Sequence, residues 1–284
     1  MIRVLVAGYG VMTRGVIPHL AKRADMAVSL LSRHQLTPPC EGVEIASLDS
    51  LADAPFDVIL GCFADDERSR EFWTDPRVVG ALSGVRTTCI EMSTLSVDWA
   101  VEWHDRIART GGVSFESPVT GSRAGATDGT LAAFVHGSAD DARAELVLGT
   151  FVRNRYDFAV PGNPARFKLV YNAWGASIMH SVAAYVPALQ EALGQDFDVA
   201  RQILGAEGWM APVCASKLDR TVAQDYSDPD FALRHLVKDL RYAHDVLGDS
   251  NELLDLVYRS FRAAEDAYGG AADFTAVTGP AVRA

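Results

Sequence analysis

Residues 4–15 read Val-Leu-Val-Ala-Gly-Tyr-Gly-Val-Met-Thr-Arg-Gly. The run 3–7 has β-forming composition, and the glycines at 8 and 10 stand where it gives way to a helical stretch starting near Met12. Glycine at 8 permits a tight turn. Glycine at 10 lets a pyrophosphate approach the backbone at the helix N-terminus, where unpaired N–H groups and the macrodipole attract an anion. The third glycine of this fingerprint is due at position 13, where Thr13 stands instead. A Gly-x-Gly pair alone can be a tight turn in an α/β fold without a cofactor. Its position after a strand, with a second β-type run at 27–32, favours a dinucleotide.

That second run ends in Ser32-Arg33-His34. A site for NAD places Asp or Glu here to hold the ribose 2′-hydroxyl. A carboxylate would repel a 2′-phosphate, whereas a guanidinium fork pairs with it, so Arg33 points to NADPH. Further apolar runs of strand length lie at 56–63, 86–93, 113–118 and 131–137, with helical stretches near 97–110 and 139–149. Strands alternating with helices predict βαβ units and a mainly parallel sheet. After Pro161-Gly162-Asn163-Pro164 the texture changes. Apolar positions recur at helical spacing over 165–193, 196–216, 229–247 and 250–268. The fold class expected is therefore α/β, a Rossmann doubly wound sheet over 1–160 followed by an all-helical domain over 161–284. The Gly/Ala-rich tail 269–284 reads as partly loose.

Length and composition agree. A chain of 284 residues carries a prior of about two domains. With 49% hydrophobic and 22% charged residues it is neither disordered nor a disulfide scaffold. A net charge of −11 speaks against nucleic acid as a partner. Cys40, Cys62, Cys89 and Cys214 share no metal-ligand or redox spacing, so the expected compartment is the reducing cytoplasm and no metal is expected. No signal peptide is expected at the start. Residues 169–189 lack any formal charge and are long enough to span a bilayer, yet Asn172, Ser177, His180, Ser181 and Pro187 make them a buried soluble helix.

Two further clusters carry possible chemistry. Thr120-Gly121-Ser122-Arg123 puts two hydroxyls, a glycine and a cation in a loop, a set that suits a small carboxylate and is also an ordinary polar turn. Lys168 and Asn172 stand four apart on one helix face, which Gly175 and Met179 continue. Spacing alone leaves a catalytic and a solvated lysine both open. Phe231 and Lys238, two turns apart, read as an amphipathic helix with a charged flank.

Taken in order, these segments resemble the β-hydroxyacid dehydrogenase family, relatives of 6-phosphogluconate dehydrogenase, nearly end to end. Gly8, Gly10, Val11 and Met12 match its glycine turn, Ser32-Arg33 its second-strand end, and Met92-Ser93-Thr94 its Met-Ser-Thr segment. Pro118-Val119-Thr120-Gly121-Ser122 with Gly129-Thr130-Leu131 matches its substrate loop, and Gly121-Ser122-Arg123 is similar to the glyoxylate and succinic semialdehyde reductase branch. Lys168 and Asn172 match its catalytic pair. Phe231, Lys238, Asp239 and Leu240, then Asp273-Phe274, match its late motifs. The sequence departs from the family at Thr13 and Arg14, at Val97, in the proline-free loop 62–65, and in the segment 161–167.

The resemblance implies a Rossmann domain, a long helix leading into a helical domain, an active site in the cleft and a homo-oligomer. It implies NADP held by Gly8, Gly10, Val11, Met12, Ser32, Arg33, Ser93, Thr94 and Lys238. It implies a small polar or anionic substrate held by Thr120, Gly121, Ser122 and Arg123. Hydride would pass between nicotinamide and a carbonyl carbon, with Lys168 as general acid/base and Asn172 beside it. Two rivals share the architecture, namely an imine reductase and a non-catalytic NADPH-binding module. Retention of Lys168 and Asn172 favours carbonyl reduction over both.

Overall fold

The computed structural model describes residues 1–52, 55–137, 141–248 and 250–283. They form two compact units, Met1–Lys168 and Leu169–Ala284. The sequence places the change at 160/161; the units meet further on, inside a helix.

In the first unit β1 (Ile2–Ala7), β2 (Met26–Leu31), β3 (Val43–Ile45), β4 (Val58–Gly61), β5 (Thr88–Glu91) and β6 (Val113–Glu116) make one sheet in the order β3-β2-β1-β4-β5-β6. Every pairing in it is parallel. This is the Rossmann order, which reverses between β1 and β4 and so opens a ligand site beside the carboxyl end of β1. Burial on both faces explains the unbroken apolar runs. Val4 and Val6 pack with Val16, Ile17 and Leu20 of α1 (Val11–Ala21). Leu5 and Ala7 point the other way, into a layer with Phe72 and Trp73 of α2 (Asp66–Trp73), Leu82 of α3 (Pro76–Leu82), and Trp99 and Trp103 of α4 (Val97–Thr110). Helix α4 runs as expected from the sequence, capped by Ser96 and stopped by Gly111 at a φ of +89°.

Three segments leave that sheet. β7 (Val119–Thr120), β8 (Leu131–Val135) and β9 (Val152–Asp157) form a separate sheet in the order β7-β8-β9. β9, Val-Arg-Asn-Arg-Tyr-Asp, is mostly exposed and has little apolar content, which is why no strand was expected there. Between β7 and β8 lies α5 (Ser122–Asp128), and before β9 lies α6 (Ala142–Leu148). Positions 139 and 140, read from sequence as helical, lie outside the described residues.

The second unit is helical, as expected. α7 (Asn163–Leu193) runs into it from the first unit, followed by α8 (Phe197–Ala206), α9 (Ala211–Ala223), α10 (Leu233–Leu247), α11 (Glu252–Tyr268) and α12 (Pro280–Arg283). The single helix expected over 196–216 is two. Gly208 at a φ of +74° and Pro212 in the first turn of α9 break the ladder between them. The middle of the tail is fixed rather than loose. Asp273, Thr275, Ala276, Val277 and Thr278 are buried, and the Asp273 carboxylate accepts from the Asp230 and Thr275 N–H groups at 2.9 and 3.0 Å. Among the described residues no helix is long and apolar enough to cross a membrane.

Candidate functional site

The β1–α1 turn separates two kinds of glycine. Gly8 has a φ of +101°, and a Cβ there would lie 2.2 Å from the Cys62 carbonyl oxygen. The fold itself demands glycine. Gly10 is extended, with φ −112° and ψ −170°, and a Cβ there would meet nothing within 4 Å. Nothing in the described protein asks for glycine at 10; an approaching ligand would. Helix α1 aims the first-turn N–H groups of Val11 and Met12 out of its end, unpaired by the helix, with the positive end of its dipole. The arrangement fits a pyrophosphate.

Thr13 alters this turn in a definite way. Its Oγ1 accepts the Gly10 N–H at 2.9 Å, so that donor is turned inward and the cap is internal. The packing role of the missing third glycine falls to Gly15, where a Cβ would stand 2.7 Å from the Ala126 carbonyl carbon of α5. Sequence reading passed over Gly15 because it lies outside the fingerprint spacing.

At the end of β2 the Ser32 hydroxyl accepts from the His34 and Gln35 N–H groups at 3.2 and 3.1 Å, which shapes the turn. Arg33 is exposed, with Nη1 3.5 Å from Glu71 Oε2. Arg68 Nη1 lies 2.7 Å from the same oxygen. One α2 carboxylate thus borders two guanidinium groups, a feature invisible in sequence because 33 and 71 are distant.

Ser93 lies over a buried polar network. Its hydroxyl donates to Glu91 and accepts the Phe63 N–H at 2.6 Å, tying the loop after β4 to the loop after β5. Glu91 also accepts from Ser69 Oγ and Trp73 Nε1, both at 2.7 Å. Burial pushes its carboxyl above the usual range, while hydrogen bonds from Ser93, Ser69 and Trp73 oppose the shift. Thr94 follows, half-buried.

Thr120-Gly121-Ser122-Arg123 is not a loop throughout. Thr120 ends β7, Gly121 at a φ of +131° precedes α5, and Ser122 and Arg123 begin that helix. Ser122 has a φ of +55°, a left-handed conformation uncommon outside glycine. Gly121 and Ser122 are exposed, and Thr120 and Arg123 half-buried. A strained, accessible hydroxyl is the kind of feature that marks a binding segment.

Lys168 is only 8% exposed, near the start of α7. Asn172 follows one turn later on the same helix. Its Nδ2 donates to Asp239 Oδ2 at 2.7 Å, which leaves its carbonyl oxygen as the acceptor for another donor. Asp239 is buried, with Lys238 Nζ 2.9 Å from its other oxygen. Lys238, a cofactor residue by resemblance, is thus paired with its neighbour on α10. Among the described residues no group of His, Cys, Asp and Glu could hold a metal ion.

The profile of the NAD binding domain of 6-phosphogluconate dehydrogenase matches residues 3–152. Cytokine-like nuclear factor N-PAC of Xenopus tropicalis is 27% identical over 254 residues, covering 86% of this chain and 46% of that protein. The chain therefore spans about half the length of that relative. A 3-hydroxyisobutyrate dehydrogenase from Salmonella typhimurium superposes with a TM-score of 0.81 at 22% identity, covering 98% of this chain and 99% of that one. An imine reductase from Myxococcus stipitatus in complex with NADP+ superposes at 0.60 with 16% identity, covering 97% and 98%. At these identities the structural likenesses show the fold.

Proposed function

Because the chain belongs to the β-hydroxyacid dehydrogenase family, the 6-phosphogluconate dehydrogenase-like proteins, we propose that it is an NADPH-dependent reductase of a small carbonyl compound bearing a carboxylate or another polar group. The observation that carries this is the pair on α7. Lys168 is buried, and Asn172 one turn on has its amide NH2 held by Asp239, which leaves its oxygen available as an acceptor.

When bound, the nicotinamide supplies the hydride. Lys168, as the ammonium, donates a hydrogen bond to the carbonyl oxygen and gives it a proton as negative charge develops there. Asn172 Oδ1 accepts from that ammonium or from the product hydroxyl. Ser122 and the backbone at Gly121 hold the substrate carboxylate, with Thr120 and Arg123 beside them. Val11 and Met12 N–H groups take the pyrophosphate and Arg33 the 2′-phosphate. Glyoxylate and succinic semialdehyde are the substrates to try first, given Gly121-Ser122-Arg123.

Two rival readings bear on the test. The likeness to an imine reductase makes C=N reduction one, and the likeness to a nuclear factor makes a binding module the other. Single-turnover NADPH oxidation with glyoxylate, succinic semialdehyde and a cyclic imine separates them. Aldehyde turnover with an inert imine is the expected result. Imine turnover alone, or tight NADPH binding with no turnover of any, overturns the proposal.

A further inference from the structure

Helix α7 has no cap of its own. Its N-cap position is Gly162, which has no side chain to offer, and the Arg166 N–H bonds the Gly162 carbonyl to open the helical ladder. The unpaired donors of its first turn can be followed one by one. Asn163 N–H donates to the Val160 carbonyl at 3.2 Å. Pro164 has no N–H to satisfy. Ala165 N–H donates to Glu116 Oε1 at 2.7 Å, and Gly162 N–H to Glu116 Oε2 at 2.8 Å. In an ordinary capping box two side chains of the helix itself satisfy the N-cap and N3 donors. Here one carboxylate, from the end of β6, takes both.

Glu116 is only 3% exposed, so its charge has lost its water. The helix end compensates it, placing two N–H dipoles and the positive end of the macrodipole against the oxygens. His104 stands behind it, with Nε2 3.3 Å from Glu116 Oε2 and Nδ1 2.7 Å from Ser114 Oγ. The entry of α7 has no slack on its other side. Gly162 has a φ of +78°, and a Cβ there would sit 2.8 Å from Val101 Cγ2 of α4. Lys168 follows Ala165 within one helical turn, so what fixes Ala165 fixes the base of the lysine side chain.

We propose that Glu116 is a positioning residue for Lys168: from the parallel sheet it clamps the first turn of α7 and thereby sets where the lysine ammonium is delivered. Glu116 itself touches neither substrate nor cofactor. This rests on the reading of Lys168 as the acid, since a clamp matters to turnover only if what it holds does.

The test uses the full chain with Glu116→Gln, which keeps the volume but turns an NH2 toward one of the two N–H donors, and Glu116→Asp, which is too short to reach both. Amide hydrogen exchange is the first readout. Both variants should exchange at residues 162–168 on the order of 10-fold faster or more, with β1 and α1 unchanged, because loss of a cap opens its own turn first. Kinetics with succinic semialdehyde, or whichever aldehyde turns over, is the second. Glu116→Gln should lose about 10-fold or more in kcat while NADPH Kd stays within about twofold. In a Lys168→Met background the same change should cost no further kcat, since residues acting as a unit are not additive.

Unchanged exchange at 162–168, or faster exchange everywhere alike, overturns the clamp. A full additional loss in the Lys168→Met background overturns its action through the lysine. If Lys168→Met alone leaves kcat intact, the general-acid reading fails instead, whatever the exchange at α7 shows.

Discussion

The two glycines of the β1–α1 turn should respond oppositely to the same methyl group. Gly8→Ala forces a Cβ onto a φ of +101° and within 2.2 Å of the Cys62 carbonyl. The conformation alone costs roughly 1–3 kcal/mol in a residue with a side chain. The carbonyl cannot retreat cheaply, because the Cys62 N–H is bonded to the Ala7 carbonyl at 2.9 Å in the adjoining strand. A combined loss of about 3 kcal/mol lowers Tm by about 6–12 °C in a protein this size. Gly10→Ala meets no atom within 4 Å and needs no unusual φ. The weaker N-cap costs about 0.5–1 kcal/mol and the stiffer unfolded chain returns about 0.4–1, so Tm should stay within about 2 °C. Its Cβ instead stands where a pyrophosphate must come, and losing one charge-assisted contact of about 1.5–3 kcal/mol weakens NADPH by about 10–150-fold. Differential scanning fluorimetry and calorimetric titration of NADPH measure both quantities. A Gly10→Ala protein that binds NADPH like the wild type, or unfolds as early as Gly8→Ala, refutes the assignment of this turn.

Arg33→Ala should cost about 10–150-fold in NADPH affinity and leave NADH nearly unchanged. Glu71→Gln should tighten NADPH by about 2–5-fold, since an exposed carboxylate no longer competes for Arg33; a wild-type protein that prefers NADH argues against both. Ser122→Ala should raise KM for an anionic aldehyde more than it lowers kcat, because it removes binding common to ground and transition states, and an unaltered KM removes Ser122 from the substrate site. Tyr171, Trp174, Ile178 and Tyr185 lie exposed along α7, with Trp174 and Tyr185 each 70% exposed. If a second copy of the chain covers this face, as proposed from the sequence, light scattering at micromolar concentration should give at least a dimer and Trp174→Glu should weaken it. A strictly monomeric wild type would sink that expectation.

The parallel sheet was legible because its strands are buried on both faces and read as unbroken apolar runs between helical segments. β9 was not, since Arg153, Asn154, Arg155 and Asp157 give an exposed strand no apolar signature. The break between α8 and α9 was signalled by Gly208 and Pro212 and missed because apolar spacing continues across them. In the candidate site, Gly10 is legible from local spacing, and Lys168 from the family resemblance, since spacing alone leaves its role open. The groups that orient them do not. Asp239 reaches Asn172 and Glu71 reaches Arg33 only through the fold. Gly15 is close in sequence to the fingerprint, but its need for glycine comes from α5, a distant segment.

One substitution isolates the delivery of the proton by Lys168. Lys168→Met keeps roughly the volume of the side chain and removes the acid. Under single-turnover conditions with the aldehyde that reacts fastest, the rate constant of NADPH oxidation should fall by about 10²–10⁴-fold, the usual contribution of a positioned general acid, while NADPH affinity stays at the wild-type value. A variant that binds NADPH normally and retains more than about a tenth of the wild-type rate, well above that range, would contradict the account.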